Sequence, residues 1–258
     1  MTDNTRRGVL VTGASRGLGR ATAIAFAAAG DRVAVHYANS RAAAEETLAL
    51  LAGEGHAVVA GDLADAEEAR GIVDRAVAGV GPLDVLVNNA ADGPSLDNQH
   101  PIDEGDWEAW RSAWEGMTRT NLLGPAHLTW AFARHLIERE APGAIVNVGS
   151  RGAFRGEPDY PAYGATKAAL HALGQSIAPR LAPHGISVAS VAPGFIATER
   201  QAAKLDGPTG DALRAQSPFG RVGTPEEIAE AIVYLASPGA VWASGAILDL
   251  NGASHFRM

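Results

Sequence analysis

Short, almost uniformly apolar segments alternate along this chain with longer segments in which apolar residues recur at helical spacing. The short segments, such as Val85-Leu86-Val87, are typical of parallel strands that helices cover on both faces. Strands are predicted at residues 8–12, 32–37, 57–60, 85–88, 144–148, 186–191 and 246–250. Helices are predicted at residues 18–29, 41–52, 66–80, 106–138, 162–181 and 225–235. The alternation predicts an α/β fold with one doubly wound parallel sheet of about seven strands and helices on both faces.

A single domain spanning residues 1–258 is predicted, because no linker, repeat or low-complexity tract divides the chain. Two segments look irregular, a polar loop at 92–105 and a segment at 195–223 that contains Gly207-Pro208. The second follows a strand end, where open α/β sheets place their ligands. It is therefore either a lid over a substrate or a surface excursion with a short helix.

Composition narrows the class of protein. The chain has 258 residues, of which 47% are hydrophobic and 19% charged, and a net charge of −8. The negative charge argues against a nucleic-acid or anionic-membrane partner. The chain has no cysteine, which excludes disulfides and Cys-ligated metals, and no metal site is expected. The polar start and the absence of a long apolar stretch predict a cytoplasmic protein without a membrane span.

Residues 12–19, Thr-Gly-Ala-Ser-Arg-Gly-Leu-Gly, lie between the first predicted strand and the first predicted helix. Glycines at such a junction let the backbone turn tightly and aim helix N–H groups at a phosphate. The spacing of Gly13, Gly17 and Gly19 differs from the common dinucleotide fingerprint. The turn therefore predicts a phosphate site, although many glycine-rich turns bind nothing.

Four polar residues are candidates for catalysis. Tyr163 and Lys167 are four residues apart on a predicted helix, so their side chains share one face, where an ammonium would lower the pKa of the phenol. The same pair is also common on ordinary helices. Ser150 follows a buried strand and is either a donor to a substrate oxygen or a turn residue. Asn121 is either a satisfied core amide or part of a proton path.

These residues and several others resemble the short-chain dehydrogenase/reductase family, within it the 3-oxoacyl-(acyl-carrier-protein) reductase branch. The similarity extends from about residue 8 to residue 252. It rests on residues 12–19, Asp62-Leu63, residues 88–91, Asn121, Ser150, Tyr163 with Lys167, and residues 193–198, in family order and spacing. Two departures stand out: Ala91 replaces the usual glycine, and the segment before Asn121 is longer than is common.

The resemblance implies a Rossmann fold and a role for each candidate. Tyr163 would be the acid/base, and Lys167 would lower its pKa and hold the nicotinamide ribose. Ser150 would polarise the substrate carbonyl, and Asn121 would hold a water that links Lys167 to solvent. The implied cofactor-binding residues are Gly13, Ser15, Arg16, Gly17, Leu18, Gly19, Tyr37, Asn39, Ser40, Arg41, Asp62, Leu63, Asn89, Ala90, Pro193, Gly194, Ile196 and Thr198, with Tyr163 and Lys167.

The end of the second strand bears on the choice of cofactor. An acid there would bind the adenosine ribose and repel a 2′-phosphate, and this chain has none. Arg16 and Arg41, with Asn39 and Ser40, could reach a 2′-phosphate. NADP(H) is therefore favoured over NAD(H). The alternative is that Arg41 only begins the next helix and Arg16 is solvated.

The substrate is less defined. A small carbonyl or alcohol compound is expected, with an acyl thioester, a sugar or a polyketide-like compound as candidates, since family does not fix substrate. Arg151 and Arg155 could meet an anionic substrate or be solvent-facing loop charges, and the second is favoured. A non-catalytic dinucleotide sensor is the alternative of another class.

Trp107, Trp110 and Trp114 form an aromatic stripe on one predicted helix face. Core packing explains such a stripe, and so does a subunit interface, where aromatic residues are enriched. The resemblance implies contacts between subunits through this helix, the tyrosine-bearing helix, and the last helix and strand. A homotetramer with twofold axes is therefore expected.

Overall fold

We analysed a computed structural model, which describes residues 6–257. All seven strands of its sheet are parallel, in the order β3-β2-β1-β4-β5-β6-β7. The strands are β1 (Gly8–Val11), β2 (Arg32–Tyr37), β3 (Ala57–Ala60), β4 (Val85–Asn88), β5 (Gly143–Val148), β6 (Ile186–Pro193) and β7 (Ile247–Leu250). The predicted doubly wound sheet is confirmed.

Ten α-helices connect the strands within residues 6–257. They are α1 (Gly17–Ala28), α2 (Arg41–Ala49), α3 (Ala66–Val80), α4 (Trp107–Thr118), α5 (Gly124–Glu138), α6 (Gly152–Arg155), α7 (Pro161–Leu181), α8 (Ala202–Asp206), α9 (Gly210–Arg214) and α10 (Pro225–Leu235). Neighbouring strand residues point to opposite faces. Val9 and Val11 pack with α1 and α10, whereas Leu10 packs with α3, α5 and α7. Helices therefore cover both faces, as the sequence predicts.

One helix was predicted as continuous, but the structure divides it. Residues 106–138 form two α-helices, α4 and α5, joined by a π-helix at Arg119–Leu123. Pro125 supplies the reason, because it has no N–H for the carbonyl of Asn121, its acceptor in a regular α-helix. The wider turn places Asn121 in the buried interior. Such π segments are frequent at functional sites.

The other predicted helices and strands lie within three residues of their expected bounds. Residues 92–105 contain a short 3₁₀ turn at Leu96–Asn98. Residues 195–223 carry a 3₁₀ turn at Glu199–Gln201 followed by α8 and α9, and a bridge between Ile196 and Gly223 closes the segment at its base. None of the helices described between residues 6 and 257 is long and apolar enough to cross a membrane.

Candidate active site

A cleft of about 720 Å³ opens above the carboxyl ends of the strands. The strand order changes direction between β1 and β4: β2 and β3 follow on one side of β1, and β4 to β7 on the other. Open parallel sheets bind ligands at such a switch point. The cleft brings together the glycine turn, the ends of β2 to β6, and the first two turns of α7.

The glycine turn is shaped by close backbone contacts. Gly13 has φ +62°, which favours glycine. A Cβ on Gly19 would lie 2.2 Å from the Gly13 carbonyl oxygen, so only glycine lets α1 begin this close to β1. The Asn89 amide donates to the carbonyl of Thr12 at 2.8 Å, and the Thr12 hydroxyl accepts from the N–H groups of Asn89 and Ala90. The turn is thus held open in a form that fits a pyrophosphate against the start of α1.

His36 supports the same turn and was not among the predicted site residues. Its Nδ1 accepts from the N–H of Gly13 at 3.2 Å, and its Nε2 lies 3.0 Å from the carbonyl oxygen of Gly61. Burial lowers the pKa of His36 to about 4, so the imidazole is neutral and can accept at Nδ1 while it donates at Nε2. The available signal was a single polar residue that interrupts the apolar run of the second strand.

One end of the cleft lies beyond β2 and β3, where the resemblance places the adenosine of the cofactor. Most of the predicted residues line it, but Arg41 is not among them. Its guanidinium instead pairs with Glu45 at 2.8 Å on the exposed side of α2, while the Ser40 hydroxyl caps that helix. Arg16 remains as an exposed cation beside the cleft. The residues present at this end are Arg16, Tyr37, Asn39, Ser40, Asp62, Leu63, Asn89 and Ala90.

Tyr163 and Lys167 line the cleft from α7, as their spacing predicts. The ammonium of Lys167 lies 5.8 Å from the centre of the Tyr163 ring and donates to the Val148 carbonyl at 2.7 Å. Burial lowers the pKa of Lys167 to about 8, because the low-dielectric surroundings disfavour its charge. The pair therefore combines a phenol with a cation that can itself exchange a proton near neutral pH.

Ser150 lines the same cleft, two residues after the end of β5. Its hydroxyl oxygen accepts from the N–H of Gly152 at 3.0 Å, so the hydroxyl can still donate its hydrogen. Asn121 lies behind α7 and is not among the cleft-lining residues. Its amide bonds to both backbone groups of Asp92 and to the Thr166 hydroxyl, so its side chain is a satisfied buried amide.

The loop after β6 forms the end of the cleft where the resemblance places the nicotinamide. Pro193, Gly194, Ile196 and Thr198 all line the cleft there, as expected. Residues of the 195–223 segment, including Glu199, Leu213 and Gln216, lie over the same space. The segment is therefore placed where a lid would be.

The location of Arg151 differs from the favoured prediction. This residue was expected to be a solvent-facing loop charge, yet it is buried and lines the cleft. Its guanidinium donates to the side chains of Gln216 and Ser254, and burial, with Arg155 nearby, lowers its pKa. Arg155 is exposed and pairs with Glu157 at 3.9 Å, and burial raises the pKa of that carboxyl. Distant segments bury Arg151, which local sequence does not reveal.

A glycine turn at a switch point, followed by a serine, a tyrosine and a buried lysine around one cleft, defines a nicotinamide-dinucleotide oxidoreductase site. Comparison with known proteins agrees with this class. A family model described as enoyl-(acyl carrier protein) reductase matches residues 13–255. The chain belongs to the short-chain dehydrogenase/reductase family, whose members are NAD(P)-dependent enzymes acting on alcohol and carbonyl groups.

Relatives of two kinds are similar to the chain. It is 38% identical to the L-rhamnose 1-dehydrogenase (NAD(P)(+)) of Sphingomonas sp. (strain SKA58), over 97% of the chain and 96% of the relative. It is 34% identical to the 3-oxoacyl-[acyl-carrier-protein] reductase FabG of Staphylococcus aureus, over 96% and 98%. Two solved structures are also similar. One is a putative 2-deoxy-D-gluconate 3-dehydrogenase from Agrobacterium tumefaciens with bound NADP (TM-score 0.83, 34% identity, 96% of each chain). The other is a 3-ketoacyl-(acyl-carrier-protein) reductase from Brucella melitensis with NADH (TM-score 0.84, 28% identity, 97% and 98%).

Proposed function

We propose that this protein is an NADP(H)-dependent oxidoreductase that interconverts a ketone and a secondary alcohol, with Tyr163 as the acid/base. The placement of Tyr163, Lys167 and Ser150 in the same cleft as the glycine turn carries this proposal. A nicotinamide dinucleotide, when bound, would supply or accept the hydride. The protein would supply position, charge and the proton.

Each catalytic residue has a distinct task. Ser150 would donate a hydrogen bond to the substrate oxygen as negative charge develops on it. Tyr163 would give a proton to that oxygen during reduction and remove one during oxidation. Lys167 would stabilise the phenolate and hold the nicotinamide ribose. This division needs the lysine to be charged and close. Its ammonium lies 5.8 Å from the centre of the Tyr163 ring, and a pKa of about 8 leaves it mostly charged at pH 7.

Asn121 would take part in the proton supply through its backbone. Its side-chain amide is engaged by Asp92 and Thr166. In a regular α-helix, the N–H of residue 125 would donate to the backbone carbonyl of Asn121. Residue 125 is a proline and has no N–H, so this carbonyl lacks that donor. We infer that this carbonyl is where a water linked to Lys167 would bind.

The cleft residues would divide the cofactor between them. The glycine turn, with Ser15, Gly17 and Leu18, would bind the phosphates common to both cofactors, and Arg16 would bind the 2′-phosphate. Asp62 and Leu63 would hold the adenine, and Asn89 and Ala90 would line its ribose. Pro193, Gly194, Ile196 and Thr198 would hold the nicotinamide amide and one phosphate.

The preference for NADP(H) is supported by the residues that end β2. Tyr37, Asn39 and Ser40 line the cleft there, and none is an acid that would repel a 2′-phosphate. Arg16 provides a cation beside them. Arg41 would have to leave Glu45 to contribute, which costs little because both side chains are exposed.

The substrate class is proposed at two levels. A 3-oxoacyl thioester, as in the FabG-like relatives, is the first candidate, and an acyl carrier protein would then be a partner. A sugar or another specialised metabolite is the alternative, because a sugar dehydrogenase has a similar or higher identity to the chain. Residues 195–223 would act as the lid over either substrate.

The assembly is proposed to be a homotetramer working in the cytoplasm. Large apolar side chains are exposed in two parts of the described chain. Trp107 is exposed on α4, Leu123 on the π-helix and Trp130 on α5, and further along the chain Tyr234, Trp242 and Leu248 are exposed. Two such regions on one chain suit two kinds of twofold contact.

Replacing Tyr163 with Phe tests the catalytic proposal. Turnover of ketones with NADPH should fall by about 10²–10⁴-fold, because the proton donor is lost while the ring remains. The dissociation constant for NADPH should change less than about twofold. Substrates would be screened by NADPH absorbance on a panel of ketones, sugars and acyl thioesters. A non-catalytic dinucleotide sensor would bind NADPH but show no turnover on the panel in either form.

A further inference from the structure

Arg151 is a buried cation between two cavities. Only 5% of the residue is exposed, yet it lines both the main cleft and a second cavity of about 310 Å³ beside the end of β7. Its two terminal nitrogens donate to the side-chain oxygens of Gln216 and Ser254, which are neutral. Burying a guanidinium costs free energy unless a negative charge opposes it. The partners of Arg151 satisfy its hydrogen bonds but leave its charge unopposed.

The other charges of the second cavity are already balanced. Arg221 pairs with Glu227 at 2.6 Å, and Asp249 pairs with Arg257 at 2.7 Å. Neither carboxylate is therefore free to neutralise Arg151. The cavity is otherwise lined by apolar side chains and small polar residues, among them Phe195 and Leu213.

On the side of the main cleft, the carboxylate of Glu157 attracts both Arg151 and Arg155. Glu157 pairs with Arg155 at 3.9 Å, and it attracts Arg151 only from beyond ion-pair distance. Within residues 6–257, Arg151 forms no ion pair. The group of Arg151, Arg155 and Glu157 thus carries one unopposed positive charge.

We propose that Arg151 binds a carboxylate of the substrate, so that the substrate is a ketone or secondary alcohol that also bears a carboxylate. This favours a specialised metabolite, the alternative given above, over a 3-oxoacyl thioester, whose acyl carboxyl is bound to sulfur. The carboxylate site rests on the proposed function, because it places the reacting carbon at Ser150 and Tyr163 in the same cleft. Arg151 directly follows Ser150, so the carboxylate would point from the reacting carbon towards the second cavity. The planar guanidinium matches a carboxylate, and one unopposed charge matches a monoanion better than a phosphate dianion.

Binding without turnover tests the anion site directly. The melting temperature of the NADP⁺-loaded protein would be measured with butyrate and with butyramide, its uncharged analogue, at constant ionic strength. Butyrate should stabilise the protein and butyramide should not. The Arg151→Gln variant should weaken butyrate binding about tenfold or more. Arg70→Gln, which removes an exposed arginine of α3 that does not line the cleft, should retain butyrate binding. Stabilisation by inorganic phosphate instead of butyrate would overturn the carboxylate assignment.

A purely structural role for Arg151 makes a different prediction. If the guanidinium only ties Gln216 to Ser254, Gln216→Ala should impair ligand binding as strongly as Arg151→Gln does, for charged and uncharged ligands alike. The carboxylate site predicts that Gln216→Ala retains butyrate binding, because the cation remains.

Substrate preference gives a measurement that needs no variant. If Arg151→Gln does not fold, wild-type kcat/KM for 4-oxopentanoate and for its methyl ester decides the matter, with at least a tenfold preference expected for the acid. Reduction of neutral ketones without that preference would overturn the carboxylate site but support the proposed oxidoreductase activity. Arg151-dependent binding of butyrate without reduction of any ketone would support the carboxylate site but overturn the proposed oxidoreductase activity.

Discussion

Lys167 illustrates how burial adapts one side chain to proton exchange. Its ammonium is enclosed between α7 and the end of β5, where it donates to the Val148 carbonyl. Burial lowers its pKa to about 8, which still leaves the charged form dominant at pH 7. A charged Lys167 favours the phenolate of Tyr163, and a lysine with this pKa gives up its proton more readily than an ordinary lysine. Burial thus supplies both the field and the proton exchange that the proposed reaction needs.

At the same scale, single arginines should decide the cofactor preference. Arg41→Ala and Arg16→Ala should each raise the dissociation constant for NADPH at least fivefold and leave that for NADH nearly unchanged, because a 2′-phosphate would lose a charge-assisted hydrogen bond. Glu45→Gln should tighten NADPH binding by up to a few-fold, because it releases Arg41 from its ion pair. Titration of each variant by cofactor fluorescence would measure these constants.

The matched control is Arg70→Ala. Arg70 is an exposed arginine of α3 in a similar helix-surface pair with Glu67, and it does not line the cleft. Its removal changes the net charge equally and should leave both constants unchanged. Equal losses for NADPH and NADH in Arg41→Ala would contradict the assigned role of that residue.

At the scale of elements, the start of α1 depends on its close approach to β1. A Cβ at Gly19 would lie within 2.2 Å of the Gly13 carbonyl oxygen and 2.6 Å of the Asn89 amide nitrogen. Gly19→Ala should therefore push α1 away, destabilise the protein by about 1–3 kcal/mol and weaken NADPH binding more than tenfold. Urea unfolding and cofactor titration would measure the two effects.

Gly116→Ala is the control for a glycine within a helix. Gly116 lies in α4, and a Cβ there would meet nothing closer than 4.0 Å. Because alanine favours the helix, this variant should be as stable as the wild type or more stable by up to about 1 kcal/mol. If Gly19→Ala behaved like Gly116→Ala, the close approach would not be what shapes the turn.

The elements themselves were largely predictable because their signals are local. Uniform apolar runs predicted all seven strands, and the Tyr163–Lys167 spacing placed both side chains in the cleft. The break at Arg119–Leu123 was missed because apolar periodicity continues through it, although Pro125 was a visible signal. Proline in a helix can begin a new segment or only bend the old one, and periodicity does not separate the two.

Contacts across long sequence separations were not predictable. Arg151 is buried by Gln216 and Ser254, which lie 65 and 103 residues away along the chain. His36 gains its role from Gly13 and Gly61 in the same way. A buried polar residue depends on partners that only the folded chain brings together, so its local sequence looks like an exposed loop or an ordinary strand.

At the scale of the whole molecule, the sheet has two edges, and they differ. β3 forms one edge and β7 the other. At the β7 edge, Leu248 is exposed on the strand itself, and Trp242, in the 3₁₀ turn that precedes the strand, is fully exposed. Trp107 and Trp130 are exposed on α4 and α5. Exposed aromatic residues of this size mark contacts between proteins, and they support the proposed tetramer.

Two substitutions should divide such a tetramer in different ways. Trp242→Arg and Trp130→Arg each place a charge in one interface, so each should yield a dimer held by the other interface, and the double variant a monomer. Light scattering after size-exclusion chromatography would report masses of four, two or one times 26.6 kDa. Leu50→Arg, at an exposed apolar residue after α2, should leave the tetramer intact. If wild-type protein were monomeric at micromolar concentration, or if Trp242→Arg kept the tetramer mass, these surfaces would not be the interfaces. The three single substitutions introduce the same charge at different positions. A general loss of solubility would therefore affect all three variants alike, whereas two distinct twofold contacts require that only Trp242→Arg and Trp130→Arg reduce the mass.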